Sequence, residues 1–199
     1  MILCVPRLRR WLPLVFLLCS SVSALLAQTA TPAARPCLLN SERGEVADCL
    51  LTMPDGSRMV AHRYLRDLKF FRGGLALIRA SEGWLYVNHK GRVVLDGIAL
   101  FDGAPDLFRE GLVRIQKDGK FGYADHKGRV MIAPSYDGAL SFDRHRAEVC
   151  RECTLICADR QSKNACAYHV FSGGQWFSID RHGRETPIPA REPEESAAR

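Results

Sequence analysis

The sequence predicts an all-β protein made of tandem three-stranded β-meander repeats stacked in an array, with a Cys-rich hairpin insertion in one of them. Three observations carry this. A segment rich in aromatic and β-branched residues recurs along the chain, its strands are short and bounded by Gly-containing turns, and no convincing amphipathic helix intervenes, residues 64–71 being the one ambiguous stretch. Composition agrees. Of 199 residues, 47% are hydrophobic and 25% charged, a globular balance too polar for a polytopic membrane protein.

Taken in chain order, residues 1–27 read as a signal peptide. Arg7, Arg9 and Arg10 form a basic start, Trp11 to Cys19 an apolar run, and Ser20 to Ala24 a small-residue exit, with cleavage after Ala27 or Ala24. An uncleaved anchor fits less well, because a helical span needs ~20 mainly apolar residues and serines intrude first. A lipoprotein site at Cys19 is disfavoured by the bulky Leu18 before it. The expected location is therefore periplasmic or secreted, with membrane attachment only through an unprocessed anchor. Without those three arginines the formal +6 falls to 25 basic against 22 acidic residues, too small a bias to argue nucleic-acid binding. Residues 28–36 read as a linker.

The repeat domain is expected over 37–185. Gly83-Trp84-Leu85-Tyr86-Val87-Asn88-His89-Lys90-Gly91-Arg92 returns 37 residues later as Lys120-Phe121-Gly122-Tyr123-Ala124-Asp125-His126-Lys127-Gly128-Arg129. A third copy runs from Gln175-Trp176 to Gly183-Arg184. Upstream of each lies a second element, Phe71-Arg72-Gly73-Gly74-Leu75 matching Phe108-Arg109-Glu110-Gly111-Leu112, with Phe142 to Val149 as a looser version. A degenerate copy at Met59 to Phe70 aligns on Met131 to Phe142, so about four units are expected, the fourth cut short.

Within a unit, 112–116, 120–125 and 129–133 read as strands. The turn between the last two opens with Asp125, whose counterparts are Asn88 and Asp180, residues able to accept local backbone amides, and closes with a glycine. One meander cannot bury its own apolar face, so neighbouring units must stack. Trp84, Phe121 and Trp176 are the expected repeat core, each contributing ~1.5–3 kcal/mol by burial.

These motifs resemble the bacterial WG-repeat family, whose units run Phe, an acidic residue, Gly-Leu-Ala, then Gly-Lys-Trp-Gly-Tyr-Ile-Asp, a Gly turn, a Val/Ile strand and Pro-x-Tyr-Asp-x-Ala-x-x-Phe. Residues 108–142 follow that scheme nearly throughout, and the likeness covers most of 58–185. The Trp-Gly pair itself is replaced by Phe121-Gly122, Trp84-Leu85 and Trp176-Phe177. The resemblance implies a scaffold architecture rather than a defined chemistry.

The third full unit carries about 21 extra residues, an insertion at about 150–173, read as a hairpin of 153–157 and 166–171 around a polar loop. Past it, residues 186–199 read as a disordered Pro/Glu/Ala-rich tail.

The exported chain keeps Cys37, Cys49, Cys150, Cys153, Cys157 and Cys166, an even set that reads first as disulfides. Cys37 and Cys49 are expected to pair. The remaining connectivity stays open, with Cys157–Cys166 across the hairpin and Cys150–Cys153 preferred. The alternative is a metal- or thiol-active protein using the Cys150–Cys166 cluster with His169 nearby, either as a zinc site or with Cys150 and Cys153 as a redox pair.

His89 and His126 share a turn position, with His182 one place later, and read as repeat-consensus residues. His62, His145 and His169 lack a supporting constellation. No G-x-S-x-G, H-E-x-x-H or phosphate-loop motif occurs. The basic turn residues Lys90, Arg92, Lys127, Arg129, Arg181 and Arg184 read as solvated turns, with an anionic glycan or phospholipid surface as their functional alternative. The expectation is a non-catalytic binding or scaffold module of the cell envelope, using no catalytic residue, cofactor or metal. Its expected partner is an envelope protein or glycan of unknown identity, and not nucleic acid.

Overall fold

Short alternating segments and frequent left-handed turn residues leave this chain little choice but antiparallel β-structure. The computed structural model describes residues 33–40, 44–158, 166 and 168–189, so the predicted signal peptide lies outside the described residues. Four three-stranded meanders follow one another. The first comprises β1 (Ala33–Leu38), β2 (Glu45–Thr52) and β3 (Arg58–Val60), the second β4 (Leu75–Ala80), β5 (Gly83–Asn88) and β6 (Val93–Leu95). Two short strands, β7 (Leu100–Phe101) and β8 (Ala104–Pro105), lead to β9 (Leu112–Lys117), β10 (Lys120–Asp125) and β11 (Val130–Tyr136). After β12 (Gly138–Ala139) comes β13 (Arg146–Arg151), then the inserted pair β14 (Thr154–Cys157) and β15 (His169–Ser172), and finally β16 (Gln175–Asp180) and β17 (Glu185–Ile188).

Two limits set from sequence are corrected by these elements. β1 begins at Ala33, inside the expected linker, because Ala33, Ala34 and Arg35 pair with Thr52, Leu51 and Leu50. β17 extends into the expected tail, because residues 185–188 complete the fourth meander by pairing with Trp176 to Ile179. The fourth unit is therefore not cut short. The ambiguous stretch 64–71 begins inside a 3-10 turn over His62–Asp67.

The first two meanders form one six-stranded sheet ordered β3-β2-β1-β4-β5-β6. Its outer strands meet, Val60 N donating to Gly91 O at 2.8 Å and Met59 bridging Arg92, so the sheet closes on itself and loses its free edges. Cys37, Cys49, Leu50, Val60, Ile78, Leu85 and Val87 fill its interior. The third and fourth meanders keep separate sheets, β11-β10-β9 and β12-β13-β16-β17. The connecting segment before each meander covers its first strand. Gln116 N donates to Gly97 O at 2.7 Å, as Leu140 N donates to Glu148 O at 2.8 Å.

Units join through a repeated contact. Tyr86 Oη donates to Asp106 O at 2.8 Å while its ring lies 4.9 Å from Phe108. One unit later, Tyr123 Oη donates to Leu140 O at 2.6 Å with its ring 4.9 Å from Phe142. Burial pushes the phenol pKa of both tyrosines well up, which keeps them as donors. The glycine of each hairpin turn packs on the third strand of the preceding unit: Gly91 on Val60, Gly128 on Val94 and Gly183 beside Ile132.

The expected core positions are not equivalent. Phe121 and Trp176 are buried, at 6% and 2% exposure, whereas Trp84 is only half-buried. Phe171 of the insertion packs edge-on against Phe121 at 5.5 Å. The unit that follows Trp84 has only the tight turn Asp118-Gly119 between its first two strands, so it carries no such lid. Gly122 keeps the glycine of the Trp-Gly pattern, since a Cβ there would stand 2.4 Å from Ile132 O. Its counterpart Leu85 instead fills the closed sheet.

Candidate functional site

Three features were legible as candidates in the sequence: the cysteine cluster, the histidines and the basic turns. The structure pairs the cysteines as Cys37–Cys49, Cys150–Cys153 and Cys157–Cys166. Cys37 and Cys49 join β1 and β2 inside the closed sheet. Cys150 lies in the core that also holds Phe121, Phe171 and Trp176 and is fully buried, with Cys153 at 8% exposure. Cys157 and Cys166 close the outer end of the β14–β15 hairpin and are half-buried. These bonds occupy the thiolates that a zinc ion would need. Among the described residues no group of three His, Cys, Asp or Glu side chains is placed to hold a metal.

The insertion also holds itself to the body of the protein by polar contacts. Asp102 Oδ1 accepts from His169 N at 3.2 Å and lies 2.7 Å from His169 Nδ1. At the base of the insertion, Asp137 Oδ2 accepts from Glu152 N at 2.8 Å, and its other oxygen pairs with Lys120. Phe101 and Phe171 lie 5.9 Å apart across this contact. His169 therefore serves the docking of the hairpin.

The turn histidines cap aromatic rings. His126 stacks on Phe108 at 3.9 Å and 15°, and His89 lies 4.1 Å from Phe70. Phe108 is thus held between Tyr86 of the preceding unit and His126 of its own. This geometry corrects the sequence alignment by one residue. Phe70, and not Phe71, is the counterpart of Phe108, because the loop 71–74 is one residue longer than 109–111. The backbone bond from Phe71 N to Leu75 O corresponds to that from Arg109 N to Leu112 O. The longer loop leaves Phe71 half exposed, at 50%.

The basic turns share one construction. Asn88 Oδ1 accepts from Lys90 N and Arg92 N at 3.0 and 3.1 Å, Asp125 Oδ1 from Lys127 N and Arg129 N, both at 2.9 Å, and Asp180 Oδ1 from His182 N and Arg184 N at 2.9 and 3.0 Å. The two aspartates also bind the guanidinium four residues on, Arg129 at 2.6 Å and Arg184 at 2.6 Å. The N–H of Arg184 and its guanidinium bring the Asp180 carboxyl down to about 2. Desolvation would raise the Asp125 pKa, but the bonds from Arg129 and Lys127 hold it below the usual range. Arg129 and Arg184 are therefore tied into their turns, while Lys90, Lys127 and Arg181 project free of any carboxylate among the described residues.

Two clusters escaped sequence reasoning. Asp106 and Arg114, both buried, form a salt bridge at 2.8 Å, and Arg114 Nη1 donates to Ala139 O. The signal was present: Arg114 lies between Val113 and Ile115 on a strand whose earlier copy has Leu77. The second cluster joins three strands. Arg151 binds Glu185 with both Nη atoms at 2.9 and 2.5 Å, and Tyr136 Oη donates to Glu185 at 2.7 Å. Burial and the Glu185 carboxylate push Tyr136 up to about 12. Both sets bridge units, the first buried and the second at the surface. A shallow groove of about 700 Å³ runs along Val93, Val94, Leu95 and Ile115, with Arg58, Glu82 and Lys117 among its polar lining, and it gathers no nucleophile–base pair.

A family model described as WG containing repeat matches residues 86–121 and 121–150, each match beginning on a middle strand and crossing a joint between units. Residues 86–150 carry WG repeats. The matched frame contains the joints built by Tyr86 with Phe108 and by Tyr123 with Phe142, so the WG repeats of this chain encode the contact between meanders as much as the meander itself. No curated protein and no solved structure matches the chain.

Proposed function

We propose that this WG-repeat protein is exported, periplasmic or secreted, and acts non-catalytically as a binding or scaffold module of the cell envelope. The observation that carries the reading is the fate of its reactive and ionisable groups. Six cysteines are joined in three disulfides, a state compatible with an oxidising compartment. Asp106, Arg114, Tyr86 and Tyr123 are consumed in joints between units. Such groups stiffen an array and leave its exposed turns for partners.

The experiment is mass spectrometry of the protein recovered from its native host, with and without thiol alkylation. The expected result is a chain beginning near Gln28 that takes up no alkylating group until reduced. Recovery of a full-length cytosolic chain with free thiols would overturn the export reading. One zinc per chain, released by a chelator together with four alkylatable thiols, would replace it with metal chemistry at 150–166.

A further inference from the structure

Charge is distributed unevenly between the two ends of the strands. At the end carrying the turns after β4 and β9, most cations are neutralised. Arg35 and Arg58 share Glu82, Arg58 also reaches Asp96, Lys120 pairs with Asp137, and Arg151 with Glu185. Only Arg79 and Lys117 there lack a carboxylate partner among the described residues. The opposite end differs. Arg129 and Arg184 are paired there with Asp125 and Asp180, but Arg72, Lys90, Arg109, Lys127 and Arg181 are all exposed, and none of these five pairs with a carboxylate among the described residues. Arg144, 93% exposed, has only a 3.9 Å contact to Asp143.

These cations form one continuous edge, because the loops that bear them touch in sequence. His89 packs against Gly74 and His126 against Gly73, so the turns of two units flank loop 71–74. The Arg181 guanidinium lies over Gly111, and His145 N donates to Glu110 at 2.8 Å, bringing in the last unit. The second, third and fourth meanders thus each place an unpaired cation on this edge. An isolated surface cation attracts an anion weakly, but a row along one edge sums to a field that a chain of anions meets at several points.

We propose that this edge binds a linear anionic polysaccharide, through its carboxylate, sulfate or phosphate groups. The proposal rests on the binding-module reading above and gives its partner a chemical class. The aromatic rings of the edge favour a saccharide over a nucleic acid, since Phe70 and Phe108 are covered by His89 and His126 and offer no face for base stacking. Among the described residues Phe71, Leu107 and Val130 are the large apolar side chains exposed beside these loops, scattered singly and too few to anchor a membrane surface. Recognition is therefore by charge along a row, with affinity that falls steeply as salt rises.

The test uses the intact, disulfide-bonded protein and fluorescent polygalacturonate and heparin fragments, with dextran, single-stranded oligonucleotide and phosphatidylglycerol-rich vesicles as comparison probes. The expected result is binding to the two acidic saccharides at low salt, none to dextran, and about a tenfold weakening as salt rises to physiological strength. Combined Lys90→Gln, Arg109→Gln, Lys127→Gln and Arg181→Gln should lower affinity about tenfold or more without changing the melting curve, because all four side chains are exposed and unpaired. Arg79→Gln with Lys117→Gln should leave affinity within about twofold. Equal losses from the two sets, or no saccharide binding at low salt, would overturn the proposal. Tighter binding to vesicles or oligonucleotide than to either saccharide would assign the edge to that partner instead. Because binding is measured on purified protein, its failure stays separate from failure of the export reading, which the N-terminal mass decides.

Discussion

Asp106 receives three hydrogen bonds from Arg114, from its backbone N at 2.8 Å, Nε at 3.0 Å and Nη2 at 2.8 Å, with both side chains 8% exposed. The pair sits where one meander hands over to the next, and Arg114 Nη1 extends it to Ala139 O of the following link. Removing one partner strands a buried charge. Arg114→Met is therefore expected to cost about 3–5 kcal/mol in urea unfolding, whereas Asp106→Leu with Arg114→Met should recover most of that loss. Equal destabilisation by the single and double variants would show that shape, not charge, dominates the site.

Position in the repeat does not predict the cost of losing an aromatic ring. Phe121→Ala empties a site closed by Phe171 and should cost ~3–5 kcal/mol, while Trp84→Ala removes a half-exposed ring and should cost about half as much. Chemical denaturation of both variants checks the difference. Matching losses would mean that the lid over Phe121 contributes nothing.

Gly128 and Gly119 have the same positive φ of 77° but different surroundings. A Cβ at Gly119 meets nothing within 4 Å, so Gly119→Ala should cost only the left-handed backbone strain, about 1–2 kcal/mol. At Gly128 the added atom would stand 1.8 Å from Val94 O, forcing the turn off the preceding unit. Gly128→Ala should lower the urea midpoint well beyond Gly119→Ala, and similar midpoints would remove the turn-on-strand contact from the stability argument.

The turn and inter-strand carboxylates give an acid limb to stability. Asp180 lies at about 2 through bonds from Arg184, Arg151 holds Glu185 below the usual carboxylate range, and Asp125 is also lowered. Unfolded Asp and Glu titrate near pH ~4. The stability from a lowered carboxyl is complete above that value and lost as pH falls through the folded one, so melting temperature should decline between about pH 4 and 2. Asp180→Asn preserves the acceptor that Asn88 provides in its own turn, yet removes the titrating charge. It should keep the turn but lower neutral stability by the charge-dependent part, so that the variant matches the parent at low pH and shows a flatter acid limb, and an unaltered limb would locate the effect in other carboxylates.

Local chemistry made the strands, turns and repeat spacing readable in advance. Alternating apolar residues specify a strand wherever they occur, and Asn88, Asp125 and Asp180 bond to amides only two and four residues away. Tertiary structure decided what depends on distant partners. The first two meanders close into one sheet because Val60 meets Gly91, the Phe70 register follows from a single extra loop residue, and Trp84 stays half exposed because no insertion covers it. The Asp106–Arg114 pair and the unpaired row from Arg72 to Arg181 belong to the same class. A charge is free or neutralised according to what folds beside it, and repeat spacing fixes where a side chain stands without saying what stands opposite.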